Sequence, residues 1–171
     1  MPAYDADRWS EFALGQLGAS AALLGLVFVG LSINLRHIVR SGILVNRAGE
    51  TVVVLGSVLV SATMVLIPAQ SRGALTAELL AVAVATFAVV WRLQRGGRAA
   101  GASEDQRPAQ PRSSLIFRRA LGLGAQAFVA VGAITLAVEA GGGLYWWPAA
   151  VIAAYVSALT NAWVLLIEIL R

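Results

Sequence analysis

The 171-residue sequence contains no cysteine, no lysine and a single histidine, and only 13% of its residues are charged. The absence of cysteine excludes disulfides, thiolate metal sites and cysteine nucleophiles. The charged fraction is about half of the roughly 25% that is typical of soluble domains. The chain therefore has too little polar surface to coat a water-soluble fold.

Long uncharged runs separate the few charged residues, and 58% of the chain is hydrophobic. A helix of about 20 residues crosses a hydrocarbon core about 30 Å thick, and the runs lack the alternation of a barrel strand. The sequence predicts an all-α integral membrane helical bundle, with residues 1–171 forming a single membrane domain. Five transmembrane helices are predicted at about 12–35, 51–70, 74–92, 116–138 and 144–168, with a flexible linker at about 93–114.

Arginine supplies all thirteen basic residues, and its distribution predicts the topology. Eleven arginines follow the first helix, fall in the linker or end the chain, whereas only Arg8 and Arg72 fall on the other side. Because positive residues stay cytoplasmic, we expect the N-terminus of this membrane protein outside and its C-terminus in the cytoplasm. The arginine-rich cytoplasmic loops lack the interleaved aromatics of a nucleic-acid site. They favour contact with anionic lipids of the bilayer, worth about 1 kcal/mol per arginine.

Small residues recur along the first helix at spacings of three and four. They include Gly15, Gly18, Ala22, Gly25 and Ser32. Because lipid is as apolar as leucine, membrane helices associate where small residues let their backbones approach closely. We expect this face to pack against other helices of the same bundle. A pore-lining helix, or one that joins copies of the chain into a homo-oligomer, is the alternative.

Three polar residues interrupt the apolar spans: Glu78, Gln126 and Asn161. Gln126 and Asn161 are predicted at similar depth, where a hydrogen bond between their amides would join two helices. Glu78 falls near Arg72 and Glu139 on the outer side, forming a predicted charged cluster. An acidic mouth that gathers cations is one interpretation. The favoured one is an ion pair of Arg72 with Glu78 or Glu139 that locks the outer turns.

The sequence offers no catalytic machinery, and we expect no enzymatic activity, cofactor or metal site. Residues 122–127 match the glycine pattern of dinucleotide sites, but no strand precedes them and they fall within an apolar helix. His37 falls at the inner interface. Asp5, Asp7 and Asp105 lie outside the spans, so they cannot form an intramembrane aspartate pair.

The stretch GASAALLGLVFVGLSINLR at 18–36, followed by NRAGE at 46–50 and a valine-rich helix, carries a resemblance over the first half of the chain. It resembles small bacterial multi-pass membrane proteins, some of them automatically labelled modulators of a membrane-anchored AAA protease. This resemblance implies a location in the bacterial inner membrane and no catalytic residues. The resulting hypothesis is a non-catalytic structural or regulatory partner of another membrane protein. The alternative is a homo-oligomeric channel or transporter subunit with helix one lining the path.

Overall fold

The computed structural model describes residues 2–103 and 112–169, and all regular secondary structure in these ranges is helical. Five helices are long and apolar enough to cross a membrane, which confirms the predicted all-α bundle of a multi-pass membrane protein. The α-helices are α1 Ser10–Ile33, α2 Leu35–Ile38, α3 Gly42–Val65, α4 Arg72–Ser103, α5 Arg112–Ala137 and α6 Trp146–Ile169. Single 3-10 turns occur at Pro2–Tyr4, Ala6–Trp9 and Gly143–Tyr145.

Helices α3, α4, α5 and α6 form a closed four-helix bundle in which each helix packs against two others. Their shared core includes Val54, Val90, Ala133 and Leu136, which are at most 1% exposed. Helix α1 lies outside this ring and packs along α3. The bundle has two ends, an N-terminal end near the first 3-10 turns and an arginine-rich end near α2.

The N-terminal segment closes one end of the bundle against the turn between α5 and α6. Gly143 has a φ of +51°, and a Cβ atom there would lie 2.3 Å from the carbonyl oxygen of Ala3. Only glycine therefore allows this close approach. The Gly142 N–H donates to the Tyr4 hydroxyl at 3.3 Å. Edge-to-face contacts of Trp9 with Tyr145 and of Phe12 with Trp147 complete the contact.

The helix boundaries correct the predicted ones at the arginine-rich end. Helix α3 begins at Gly42 rather than near residue 51, and α4 continues to Ser103 rather than ending near 92. The flexible linker predicted at 93–114 is therefore wrong for 93–103 and 112–114, and its remainder, 104–111, lies outside the described residues. Arginine is a good helix former whose stem tolerates an apolar surface. Arg95, for example, places its guanidinium 4.9 Å from the centre of the Trp91 ring.

Candidate functional site

A row of buried polar side chains follows the axis of the four-helix bundle from the arginine-rich end. Helix α3 contributes Glu50, Ser57 and Ser61, whose spacings of seven and four keep them on one helix face. Glu50 is 2% exposed and Ser61 is 1% exposed. The other helices add Gln94 from α4, Gln126 from α5, and Ser157 and Asn161 from α6, all of them buried. Every helix of the bundle thus supplies a polar group to its interior.

The first part of this row is centred on the carboxylate of Glu50. Its Oε1 accepts a hydrogen bond from Gln94 Nε2 at 2.8 Å, which joins α3 to α4. Gly122 of α5 lies against the same carboxylate, because a Cβ atom at Gly122 would fall 2.7 Å from Glu50 Oε1. The same point is 3.4 Å from Ser157 Oγ of α6. Because Gly122 has no side chain, the interior has room here for a polar cluster to which residues of all four helices contribute.

Two arginines lie close in sequence to this group, on the side of the arginine-rich end. Arg47 precedes Glu50 by one turn of α3 and is 6% exposed. Arg119 precedes Gly122 by about one turn of α5 and is partly buried. Charged residues at membrane depth are costly unless other groups of the bundle compensate them. The arrangement places acidic and basic side chains inside the bundle, and two of them, Arg47 and Glu50, precede residue 51, where the helix is predicted to begin.

The second part of the row joins α3 to α5 and α6 nearer the middle of the bundle. Gln126 Nε2 donates to Ser57 Oγ at 3.1 Å, and Trp147 Nε1 donates to Ser61 Oγ at 3.3 Å. Gln126 and Asn161 are both buried, as expected of polar residues that join membrane helices. The partner of the Gln126 amide is the Ser57 hydroxyl of α3, and the predicted hydrogen bond between the Gln126 and Asn161 amides stays a prediction.

The three residues of the predicted outer charged cluster form two separate contacts at the N-terminal end. Arg72 forms a salt bridge with Glu139, which joins the start of α4 to the turn after α5. Glu78 has a different partner from the predicted Arg72, since its Oε2 accepts from Gln70 Nε2 at 2.5 Å. The side chains of Arg72 and Glu139 are 43% and 59% exposed, so solvent screening leaves their attraction small.

The small-residue face of α1 points away from the rest of the chain. Gly15, Gly18, Ala22, Gly25 and Ser32 are all exposed. Nothing lies within 4 Å of a Cβ atom built at any of the three glycines. The expectation that this face packs inside the bundle is therefore wrong, since α1 packs along α3 with another face.

The face of α1 that does pack contains its only two buried residues, Ala13 and Ser20. The Ser20 hydroxyl donates to the carbonyl of Gln16 at 2.7 Å, so its polar group is satisfied within the helix. The Tyr155 hydroxyl of α6 donates to Gln16 Oε1 at 2.9 Å. Helix α1 is thus held to the bundle along one narrow side.

Residues 2–103 and 112–169 contain no group of three or more acids, histidines or cysteines arranged to hold a metal ion. The glycine pattern at 122–127 lies within α5, where Gly122 faces Glu50. Its first glycine therefore serves helix packing. Comparison with known proteins finds no family model, curated protein or solved structure that matches the chain.

Proposed function

We propose that this multi-pass membrane protein is a non-catalytic partner of another membrane component, and that α1 is the helix that binds it. The observation that carries this proposal is the open space above Gly15, Gly18 and Gly25 on a helix long enough to span the bilayer. Lipid chains can cover such a face, but their contact with it is not strengthened by its glycines. A second transmembrane helix gains close backbone contact there.

The polar groups of α1 need no hydrogen-bond partner on this face, so the face is suited to a helix–helix contact without water. The Ser32 hydroxyl donates to the Phe28 carbonyl at 2.8 Å, and no polar side chain occurs between Ser20 and Ser32. The same feature weakens the alternative of a homo-oligomeric channel lined by α1, because a path for ions needs polar groups through its depth. A helix of another protein, or of a second copy, fits the face better.

Replacing Gly18 and Gly25 together with leucine is expected to abolish this association without destabilising the chain, because both sites are open. A photo-crosslinking amino acid that replaces Leu26, an exposed residue at the border of the face, is expected to form a covalent adduct with the partner in native membranes. The mass of the adduct separates a second copy from another protein. Gly30→Leu is the matched control, since Gly30 is equally open but lies on a different side of α1. Lipid adducts alone in the wild type would refute the proposal.

The arginine-rich end is proposed to lie in the cytoplasm of a bacterium, against anionic lipid of the inner membrane. Around α2, the exposed apolar residues Leu35 and Val39 alternate with the exposed Arg36 and Arg40. Such a mixture suits the headgroup region, where stems contact acyl chains and guanidinium groups contact phosphate. The eleven-to-two distribution of arginines supports the same orientation.

Reporter fusions test this orientation directly. A reporter that is active only in the cytoplasm is expected to show activity when it is placed after Gly97 or at the C-terminal Arg171, because the arginine-rich segments resist translocation. A reporter at the N-terminus serves as the control and is expected on the opposite side. A periplasmic signal from either of the first two fusions would contradict the proposed topology.

A further inference from the structure

A small cavity lies between α3, α5 and α6, beside the second part of the buried polar row. Its volume is about 10 Å³. Its polar lining comes from Ser57, Ser61, Gln126 and Trp147, and its apolar lining from alanine and valine side chains. A cavity of roughly 10–15 Å³ is large enough for one water molecule when polar groups line it.

The hydrogen bonds around the cavity define what an occupant must offer. The Ser57 hydroxyl donates to the Val54 carbonyl at 2.7 Å, so its contact with Gln126 uses the amide N–H as donor. The Ser61 hydroxyl likewise donates to the Val58 carbonyl at 3.0 Å and accepts from Trp147. Each hydroxyl keeps one unused acceptor position, because its hydrogen is already committed.

Gln126 supplies the strongest unused acceptor. Its Oε1 has no hydrogen-bond partner although the residue is only 2% exposed. A buried polar atom without a partner costs about 1–3 kcal/mol. The unused positions on the Ser57 and Ser61 hydroxyls and on Gln126 Oε1 are thus all acceptors, and the second hydrogen of Gln126 Nε2 is the one donor that these side chains keep. An anion would be repelled by them, and an apolar ligand would leave Oε1 unsatisfied.

We propose that this cavity binds one water-sized hydrogen-bond donor, held by Gln126 Oε1 together with the hydroxyls of Ser57 and Ser61. Water offers two hydrogens and an ammonium ion offers four, so both have the required chemistry. The occupant links Gln126 to the pair formed by Ser61 and Trp147. The polar interior then extends as one hydrogen-bonded unit across three helices.

Magnetisation transfer to the Trp147 indole N–H tests the site, since this group is 3% exposed and donates to a hydroxyl that lines the cavity. The protein is labelled with ¹⁵N-tryptophan in lipid nanodiscs. A cross-peak to long-lived water is expected at Trp147 in sodium chloride. If ammonium is the occupant, ammonium chloride replaces that peak with one to ammonium protons and raises Tm. The Trp146 indole, which donates to the Gly141 carbonyl at the surface, is the control.

The cross-peak at Trp147 could come from a molecule bound in the cavity or from proton exchange through the serine hydroxyl, and two variants distinguish these origins. Gln126→Leu removes the acceptor and is expected to abolish the cross-peak at Trp147. Ala154→Val enlarges a side chain that lines the cavity, so it fills the space while Gln126 is kept. The same loss of the Trp147 cross-peak is expected, so this variant provides the test if Gln126→Leu fails to fold. The absence of both cross-peaks in the wild type would overturn the proposal. A water peak of unchanged intensity in a folded variant would overturn it as well.

Discussion

Gly122→Leu is expected to destabilise the bundle by about 3 kcal/mol, because the new side chain would enter space held by the Glu50 carboxylate. Even a Cβ atom would lie 2.7 Å from Glu50 Oε1. The carboxylate has little freedom to withdraw, since Glu50 is buried and bonded to Gln94. Unfolding by denaturant in detergent micelles measures the difference in free energy.

Gly124→Leu is the matched control for this prediction. It lies two residues further along α5, and nothing is within 4 Å of its Cβ position. The gain in helix propensity on replacing glycine is the same at both sites, so the difference between the variants isolates the steric clash. Equal free energies of unfolding for the two variants would contradict the close approach of Gly122 to Glu50.

Shortening the acidic side chain at residue 50 should relieve a clash with residue 122, whereas it would not relieve a defect confined to α5. Glu50→Asp withdraws the acidic oxygens from α5 by about one methylene, so it is expected to reduce the destabilisation caused by Gly122→Ala. The interaction free energy of the double-mutant cycle measures this rescue. Additive effects of the two substitutions would mean that the clash lies elsewhere.

The number and type of the long helices could be predicted because bilayer thickness fixes how long an uncharged run must be. The same rule explains why Glu50 was missed. It starts the predicted helix at residue 51, just after Arg47 and Glu50, since it measures the cost of charge in lipid and not in the interior of a bundle. Glu50 is hydrogen-bonded to Gln94 from a distant part of the sequence, so the contact that permits it inside α3 cannot be seen locally.

The small-residue face of α1 shows a different limit of the sequence. Spacings of three and four between small residues predict that backbones can approach closely on that side. They do not say whether the approaching helix belongs to the same chain. At Gly18 and Gly25 the structure leaves the space open, while Ala13 and Ser20 are buried. Only the arrangement of the other helices distinguishes these two faces.

The turns at the N-terminal end illustrate the role of neutral partners. Considering formal charge alone, Glu78 and Glu139 were equivalent candidates for Arg72. The structure pairs Arg72 with Glu139 and gives Glu78 the amide of Gln70. Because an amide donor satisfies a carboxylate without carrying charge, a search for opposite charges overlooks it.

The second large effect is expected from Glu50→Leu, which should cost about 3 kcal/mol of unfolding free energy. The substitution removes a hydrogen bond to a charged group and leaves the buried Gln94 Nε2 without that acceptor. It also changes the charge of a buried group that has Arg47 one turn away, which adds to the loss. Denaturant unfolding in micelles again provides the measurement.

Glu139→Leu is the control, because it removes a carboxylate that forms an exposed pair with Arg72 and should cost less than about 1 kcal/mol. Gln94→Leu tests the cause of the larger loss. If Glu50 and Gln94 act as a unit, adding Gln94→Leu to Glu50→Leu should cost little more than Glu50→Leu alone, since the orphaned amide is then removed. Equal losses for Glu50→Leu and Glu139→Leu would mean that the interior carboxylate contributes no more to stability than a surface charge.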